Sequence, residues 1–212
     1  MKLNKYIDHT YLKAEGTKEH IDKLIEEAKE SEFKTICINP AWIEYAKEQL
    51  KGSKVEICTV VGFPLGANST ESKIFEARDA IDKGAEEVDM VINIGKLKEG
   101  DVDYVTAEIK AVKNACQNKV LKVIIETALL NETEITLASN AVIEGGGDFV
   151  KTSTGFSTRG ATVEDVKLIK SVVGDYCKIK ASGGIRNHDD MMAMINAGAD
   201  RIGASAGKVL LK

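Results

Sequence analysis

Gly84-Ala85-Glu86-Glu87-Val88-Asp89-Met90-Val91-Ile92-Asn93 reads as the end of a helix followed at once by a short strand. A glycine closes a helix by accepting the left-handed cap that side chains resist, and the β-branched run after it suits a strand. Two other stretches have the same form: Gly146-Gly147-Asp148-Phe149-Val150 and Gly198-Ala199-Asp200-Arg201-Ile202-Gly203. A helix-end-to-strand-start that recurs in this way predicts a chain of βα units. It also makes the triple glycine at 145–147 a turn rather than a phosphate loop.

Working outward from these junctions, strand candidates begin near Ile7, Thr35, Val55, Val88, Val120, Phe149, Cys177 and Arg201. They lie roughly 30 residues apart, the length of a strand plus a crossover helix. Asn39-Pro40, Asn131 with Glu134, and Thr162 with Asp165 predict helix starts, since short polar side chains cap exposed N–H groups and proline suits the first turn. Gly52, Gly84, Gly174 and Gly198 mark helix ends. Eight strands in 212 residues predict one domain, residues 1–212, folded as a parallel (β/α)8 TIM barrel of the α/β class. A doubly wound open sheet is the alternative, disfavoured because no GxGxxG follows an early strand.

Composition narrows the partners. Apolar residues make up 43% and charged residues 29%, with a formal charge of −4. That balance suits a soluble globular chain and gives no reason to expect nucleic acid or an anionic membrane as partner. The N-terminus lacks an apolar signal region and no segment has the apolar length of a membrane span, so a cytoplasmic protein is expected. Four scattered cysteines and three histidines, without a CxxC pair, argue against a zinc site. His9, His20 and His188 read as capping, surface or hydrogen-bonded residues, and Trp42 with Tyr45 as packing.

In a parallel barrel the chemistry belongs at the carboxyl ends of the strands, and several strands carry ionisable residues there. Alternation puts Lys151 on one face with Phe149 and Ser153, Lys180 with Lys178 and Ser182, Asp89 with Val91, and Lys122 with Ile124 and Glu126. Lys178 is expected to snorkel out at the bottom of the barrel, and Glu126 reads equally as site or support. Lys151 and Lys180 fall on neighbouring strands, roughly 4.8 Å apart. Two ammonium groups converging in a desolvated cavity repel, so one should lose its proton more readily. A neutral lysine amine attacks a carbonyl and forms an iminium, the electron sink for carbon–carbon cleavage. Asp89 supplies a carboxylate for proton transfer, with Lys122 as a relay, and no metal is needed. The loops after strands seven and eight, Ala181-Ser182-Gly183-Gly184-Ile185-Arg186 and Arg201-Ile202-Gly203-Ala204-Ser205, suit a phosphate cradle.

The chain resembles the deoxyribose-phosphate aldolase family in ordered blocks over nearly its full length. They are residues 7–10, 36–40, 59–66, 87–95, 121–127, 150–156 and 180–186. The resemblance implies reversible cleavage of 2-deoxy-D-ribose 5-phosphate into acetaldehyde and D-glyceraldehyde 3-phosphate in deoxynucleoside breakdown, without a cofactor or metal, in a dimer or tetramer. It places the Schiff base on Lys151, a choice the residues alone leave open between Lys151 and Lys180. It places proton transfer on Asp89 and Lys180 with Lys122 auxiliary. Thr10, Cys37 and Thr154 fall on its substrate pocket, and Gly155, Gly183, Gly184, Gly203 and Ser205, with Arg186 nearby, on its phosphate side. Cys37 would otherwise read as an ordinary core thiol. Two departures stand out: Ala206 follows Ser205 where some members have a second serine, and the chain ends at Lys212 where some members carry a terminal tyrosine.

Overall fold

The computed structural model describes residues 2–212. In chain order it contains β1 (Ile7–Tyr11), α1 (Lys18–Ser31), β2 (Thr35–Ile38), α2 (Ile43–Gln49), β3 (Glu56–Val61), α3 (Thr70–Lys83) and β4 (Glu87–Val91). There follow α4 (Ile94–Lys98), α5 (Val102–Ala115), β5 (Val120–Ile124), α6 (Glu132–Glu144), β6 (Phe149–Lys151), α7 (Val163–Val173), β7 (Lys178–Ser182), α8 (His188–Ala197), β8 (Arg201–Ala204) and α9 (Gly207–Leu210). The eight strands pair in sequence order and close into a barrel. Closure rests on the parallel pairing of β1 with β8 through Ile7–Ile202, Asp8–Gly203 and His9–Ala204, which rules out the open sheet.

Strand alternation sorts side chains into two environments. Outward positions such as Ile36, Ile38, Val88, Met90, Leu121, Val123, Ile179 and Ile202 join helix residues in the main apolar core. Each such fully buried side chain contributes about 1.5–3 kcal/mol relative to exposure. Inside the barrel a small separate apolar cluster of Leu12, Cys37, Cys58 and Val60 has Phe63 packed on it, and Val91, Ile124 and Phe149 share the inward faces of their strands. Much of the rest is charged. Asp8, Glu87, Asp89, Lys122, Lys151, Lys180 and Arg201 are all buried, where barrels usually stack branched aliphatic layers.

The expected strand starts agree with the structure to within one residue: β3, β4 and β7 begin at Glu56, Glu87 and Lys178. Asn131 and Glu134 form a reciprocal capping box at α6, and Thr162 accepts from the Asp165 N–H at α7. Asn39 differs from expectation. Its side chain caps nothing and donates instead to the Leu12 carbonyl at 3.2 Å, tying β2 to the loop after β1. No helix among the described residues is long and apolar enough to cross a membrane.

One close approach joins fold to site. A Cβ on Gly160 would lie 2.1 Å from the Gly183 carbonyl oxygen, so the two loops touch backbone to backbone. Gly160→Ala is therefore expected to destabilise the fold by about 1–3 kcal/mol, visible as a lowered thermal midpoint. An unchanged midpoint would show that the loops can part freely.

Candidate active site

Neighbouring strands bring the charged side chains into register. Asp89 pairs with Lys122 across β4–β5, Lys151 with Lys180 across β6–β7, and Lys180 with Arg201 across β7–β8. All point inward, and Asp89 is the meeting point. Its Oδ1 accepts from Lys122 Nζ at 2.8 Å and from the Cys58 thiol at 3.2 Å. Its Oδ2 accepts from Lys151 Nζ at 2.8 Å and Lys180 Nζ at 2.7 Å. Towards the barrel bottom, Lys122 Nζ lies 2.6 Å from Glu87 and Lys180 Nζ 2.6 Å from Asp8 Oδ2. This last approach is an ion contact, since Asp8 Oδ2 has no hydrogen-bond partner of good geometry. Arg201 then bridges Asp8 at 2.7 Å and Glu87 at 2.9 Å, with its guanidinium 5.3 Å from the centre of the Phe149 ring. Lys178 is exposed, as expected for a residue at the open bottom, with Nζ 5.7 Å from that ring centre.

The protonation states follow from these contacts. Burial alone would push the Asp89 carboxyl up, but the ammonium groups of Lys122, Lys151 and Lys180 hold it well below the ordinary range. Asp8 behaves alike: burial opposes ionisation, and Lys180, Lys122 and Arg201 overcome it. For Lys180 the balance has the opposite sign. Burial favours the neutral amine, yet Asp8 and Asp89 outweigh it and hold the ammonium above its usual value. Lys122 is held up in the same way, with Asp89 the leading carboxylate. Of the two lysines, one of which was expected to lose its proton more readily, Lys180 is the one that two carboxylates keep charged.

Lys151 differs in two respects. It contacts a single carboxylate oxygen, and it reaches the wall of a cavity of about 730 Å³ above the strands' carboxyl ends, which Lys122, Lys180 and Asp89 do not. Thr10, Thr154 and Gly155 line the same cavity. So do Gly183, Gly184 and Arg186 after β7, and Gly203 and Ser205 on β8 and just beyond it. Gly183 and Gly184 take φ of 80° and 79°, a turn open to glycine and suited to presenting backbone N–H groups to an anion. Lys13, Lys23 and Lys208 also border the cavity, so a protein of net charge −4 gathers cations at this mouth.

Other expected residues fall elsewhere. Cys37 is not on the cavity wall; it is fully buried in the small apolar cluster inside the barrel, so the plain reading of a core thiol fits it. Glu126 serves as support. Its carboxylate accepts the N–H and hydroxyl of Thr154, which fixes the loop carrying Gly155. Among the histidines, His9 binds Glu27 at 2.7 Å, His20 meets the backbone of Thr17, and His188 lies 2.9 Å from the Leu210 carbonyl oxygen. Sequence reasoning missed Asp8, Glu87 and Arg201. Alternation could have found them, because Glu87 shares the Asp89 face, Asp8 the Thr10 face, and Arg201 the Gly203 face. Cys37, Cys58 and Asp89 lie close enough to hold a metal ion, but three ammonium groups around Asp89 oppose a further cation.

A sequence profile described as DeoC/LacD family aldolase matches residues 2–212. The chain is 58% identical over 212 residues to the deoxyribose-phosphate aldolase of Streptococcus gordonii, covering 100% of this chain and 96% of that one. It is 60% identical over 207 residues to that of Staphylococcus saprophyticus, covering 98% and 94%. Among solved structures, an aldolase termed QR15 superposes with a TM-score of 0.94 at 43% identity, covering 98% and 93%. The deoxyribose phosphate aldolase from Aeropyrum pernix, described as a unique tetramer, superposes with a TM-score of 0.90 at 31% identity, covering 99% and 89%.

The ion network sets how stability should vary with pH. Asp8 and Asp89 ionise more readily folded than unfolded, so their contribution is present above the free carboxylate value of 3.8 and is lost as pH falls through the folded values. Lys180 and Lys122 contribute below 10.5 and lose that contribution as pH rises past it. The thermal midpoint should therefore drop steeply below about pH 4. Asp8→Asn should cost about 3–5 kcal/mol at neutral pH, because it leaves buried Lys180 with Asp89 alone and buried Arg201 with Glu87 alone, and should flatten the acid limb. A pH series of thermal melts on both proteins checks this.

Proposed function

Because this chain belongs to the DeoC/LacD family of aldolases, we propose that it cleaves 2-deoxy-D-ribose 5-phosphate reversibly into acetaldehyde and D-glyceraldehyde 3-phosphate through an imine on Lys151. The relatives named above as deoxyribose-phosphate aldolases support the substrate. One observation carries the choice of residue: of the three ammonium groups around Asp89, only that of Lys151 opens on the cavity. The four basic side chains of the network face three carboxylates, so discharging one lysine leaves no carboxylate unmatched. Lys151 makes the fewest carboxylate contacts of the three lysines, one oxygen of Asp89.

The chemistry then proceeds from Lys151 Nζ. The neutral amine adds to C1 of the open-chain sugar, and the carbinolamine loses water to give the iminium. The C3 hydroxyl gives up its proton, the C2–C3 bond breaks, and its electron pair moves to C2, forming an enamine and releasing glyceraldehyde 3-phosphate. C2 takes up a proton, and water then hydrolyses the iminium to acetaldehyde and free amine. Asp89, 2.8 Å from Nζ, takes and returns protons at that nitrogen. At the amine and enamine stages one of the three cations around it is gone, so the carboxylate is more basic when a proton must move. Lys180 stays cationic and keeps the site positive throughout.

The substrate phosphate rests on the glycine turn at 183–184, with Gly203, Gly155 and Ser205 completing the cradle and Arg186, Lys13, Lys23 and Lys208 adding local positive charge. Ala206 leaves Ser205 as the single hydroxyl of its loop. We place the enzyme in the cytoplasm, as a single-domain protein forming a homo-oligomer, dimer or tetramer, in line with its family.

Borohydride added with acetaldehyde should leave one ethyl group on Lys151, identified by mass and peptide position. Lys151→Leu should abolish both adduct and turnover. An active wild type without an adduct would overturn the imine and favour a barrel enzyme using acid–base chemistry alone. Lys180→Met should reduce kcat by about 10²–10⁴-fold, and EDTA should have no effect on the wild type.

A further inference from the structure

Beyond the site, one fully buried ion pair takes no part in the network around Asp89. Lys73 on α3 and Glu108 on α5 meet at 2.7 Å with both side chains fully inaccessible. Burial is the leading influence on each, pulling the Lys73 ammonium down and pushing the Glu108 carboxyl up. A pair buried at such a cost is weak evidence of added stability, so what its remaining hydrogen bonds hold is informative.

They hold backbone. Lys73 Nζ also donates to the Gly66 carbonyl at 2.8 Å, and Glu108 accepts the Asn93 N–H at 3.0 Å, just beyond the strand that carries Asp89. One turn along α3, Glu76 accepts the Gly62 N–H at 2.7 Å. The segment between, Gly62-Phe63-Pro64-Leu65-Gly66, is closed by the Gly66 N–H donating to the Gly62 carbonyl at 2.7 Å. A Cβ on Gly66 would lie 1.9 Å from the Ile92 carbonyl oxygen, so the loop is pressed against the end of β4.

The loop carries one inward-facing aromatic. Phe63 packs on the apolar cluster of Leu12, Cys37, Cys58 and Val60 inside the barrel. It also meets Phe156 edge to face, with ring centres 5.3 Å apart and planes at 89°. Phe156 follows β6 and lines the cavity beside Lys151. Since β3 and β6 stand three strands apart in the closed barrel, the two rings meet across part of its mouth. Such an edge-to-face pair is favourable beyond its buried area; Phe156 is 54% exposed, with its backbone N–H held by the Thr154 hydroxyl at 3.0 Å.

We propose that Lys73, Glu76 and Glu108 are positioning residues for the aldol reaction: they clamp the 62–66 loop so that Phe63 holds Phe156 as an apolar wall over the two-carbon, acetaldehyde-derived end of the substrate on Lys151. The inference rests on the imine reading of Lys151. Phe63 fills the interior above the small apolar cluster, and Phe156 limits water at the enamine. A loosened loop leaves the charged network and the phosphate cradle intact but lets the wall move. A displacement near 1 Å far from the chemistry is enough to cost up to about a hundredfold in rate.

A double-mutant cycle tests the clamp. Lys73→Met with Glu108→Gln removes both charges while keeping an acceptor for Asn93, and Phe63→Leu removes the ring. Each is expected to lower kcat on the order of tenfold and slow borohydride trapping of acetaldehyde, while inhibition by inorganic phosphate stays unchanged. Combining all three substitutions should be no worse than Phe63→Leu alone, because the two changes act along one path. Wild-type kcat in the folded Lys73/Glu108 variant, losses that multiply, or weakened phosphate inhibition would each overturn the clamp. If that variant fails to fold, Glu76→Met combined with Phe63→Leu gives the same cycle. Trapping in the wild type keeps the two ideas apart: no adduct there defeats the imine, whereas an adduct with an indifferent clamp defeats only the clamp.

Discussion

Asp89 and the three ammonium groups around it form the contact on which the rest of this protein depends. An isolated buried charge costs many kcal/mol, and this barrel buries seven ionisable side chains where a barrel is usually packed with aliphatic layers. Each is tolerable only because strand register delivers a partner of opposite sign. Asp89 binds Lys122, Lys151 and Lys180, and Asp8, Glu87 and Arg201 complete the set below. The arrangement ties seven side chains from six strands into one unit, so the chemistry and the closure of the barrel share their residues.

That coupling also separates the roles of chemically identical groups. Lys180 and Lys151 are the same residue type on adjacent strands, yet Lys180 is pinned between Asp8 and Asp89 in the sealed interior while Lys151 touches Asp89 alone and faces the cavity. One is held as a fixed positive charge, and the other is open to the cavity. The interior is also lopsided. Charge occupies the β4–β8 and β1 sides, and the apolar cluster under Phe63 occupies the β2 and β3 sides.

Much of this was legible in the sequence. Glycine-ended helices before five strands, together with the β-branched runs themselves, placed all eight strands to within a residue, because a helix cap and a strand face are both set by nearest neighbours in the chain. Alternation aimed Asp89, Lys122, Lys151 and Lys180 inward, and the resemblance in seven blocks chose Lys151. Asp8, Glu87 and Arg201 were equally inward by parity but were passed over, since each looks like an ordinary charged residue until its partner is known. Cys37 went the other way: the resemblance put it in the pocket, and the packed side chains put it in the apolar cluster beneath. The Lys73–Glu108 pair was invisible, with its partners 35 residues apart on helices whose facing could not be read from either one alone.

The sequence by itself therefore determined the βα repeat, the inward set of charges and the family. These depend on local conformational preference and on alternation, which the order of residues carries directly. The tertiary structure alone decided which carboxylate each lysine meets, that Lys180 is held charged, and which of the two central lysines reaches the cavity. Protonation in a buried site is set by distances of a few ångströms between side chains remote in sequence, and those distances exist only once the barrel has closed.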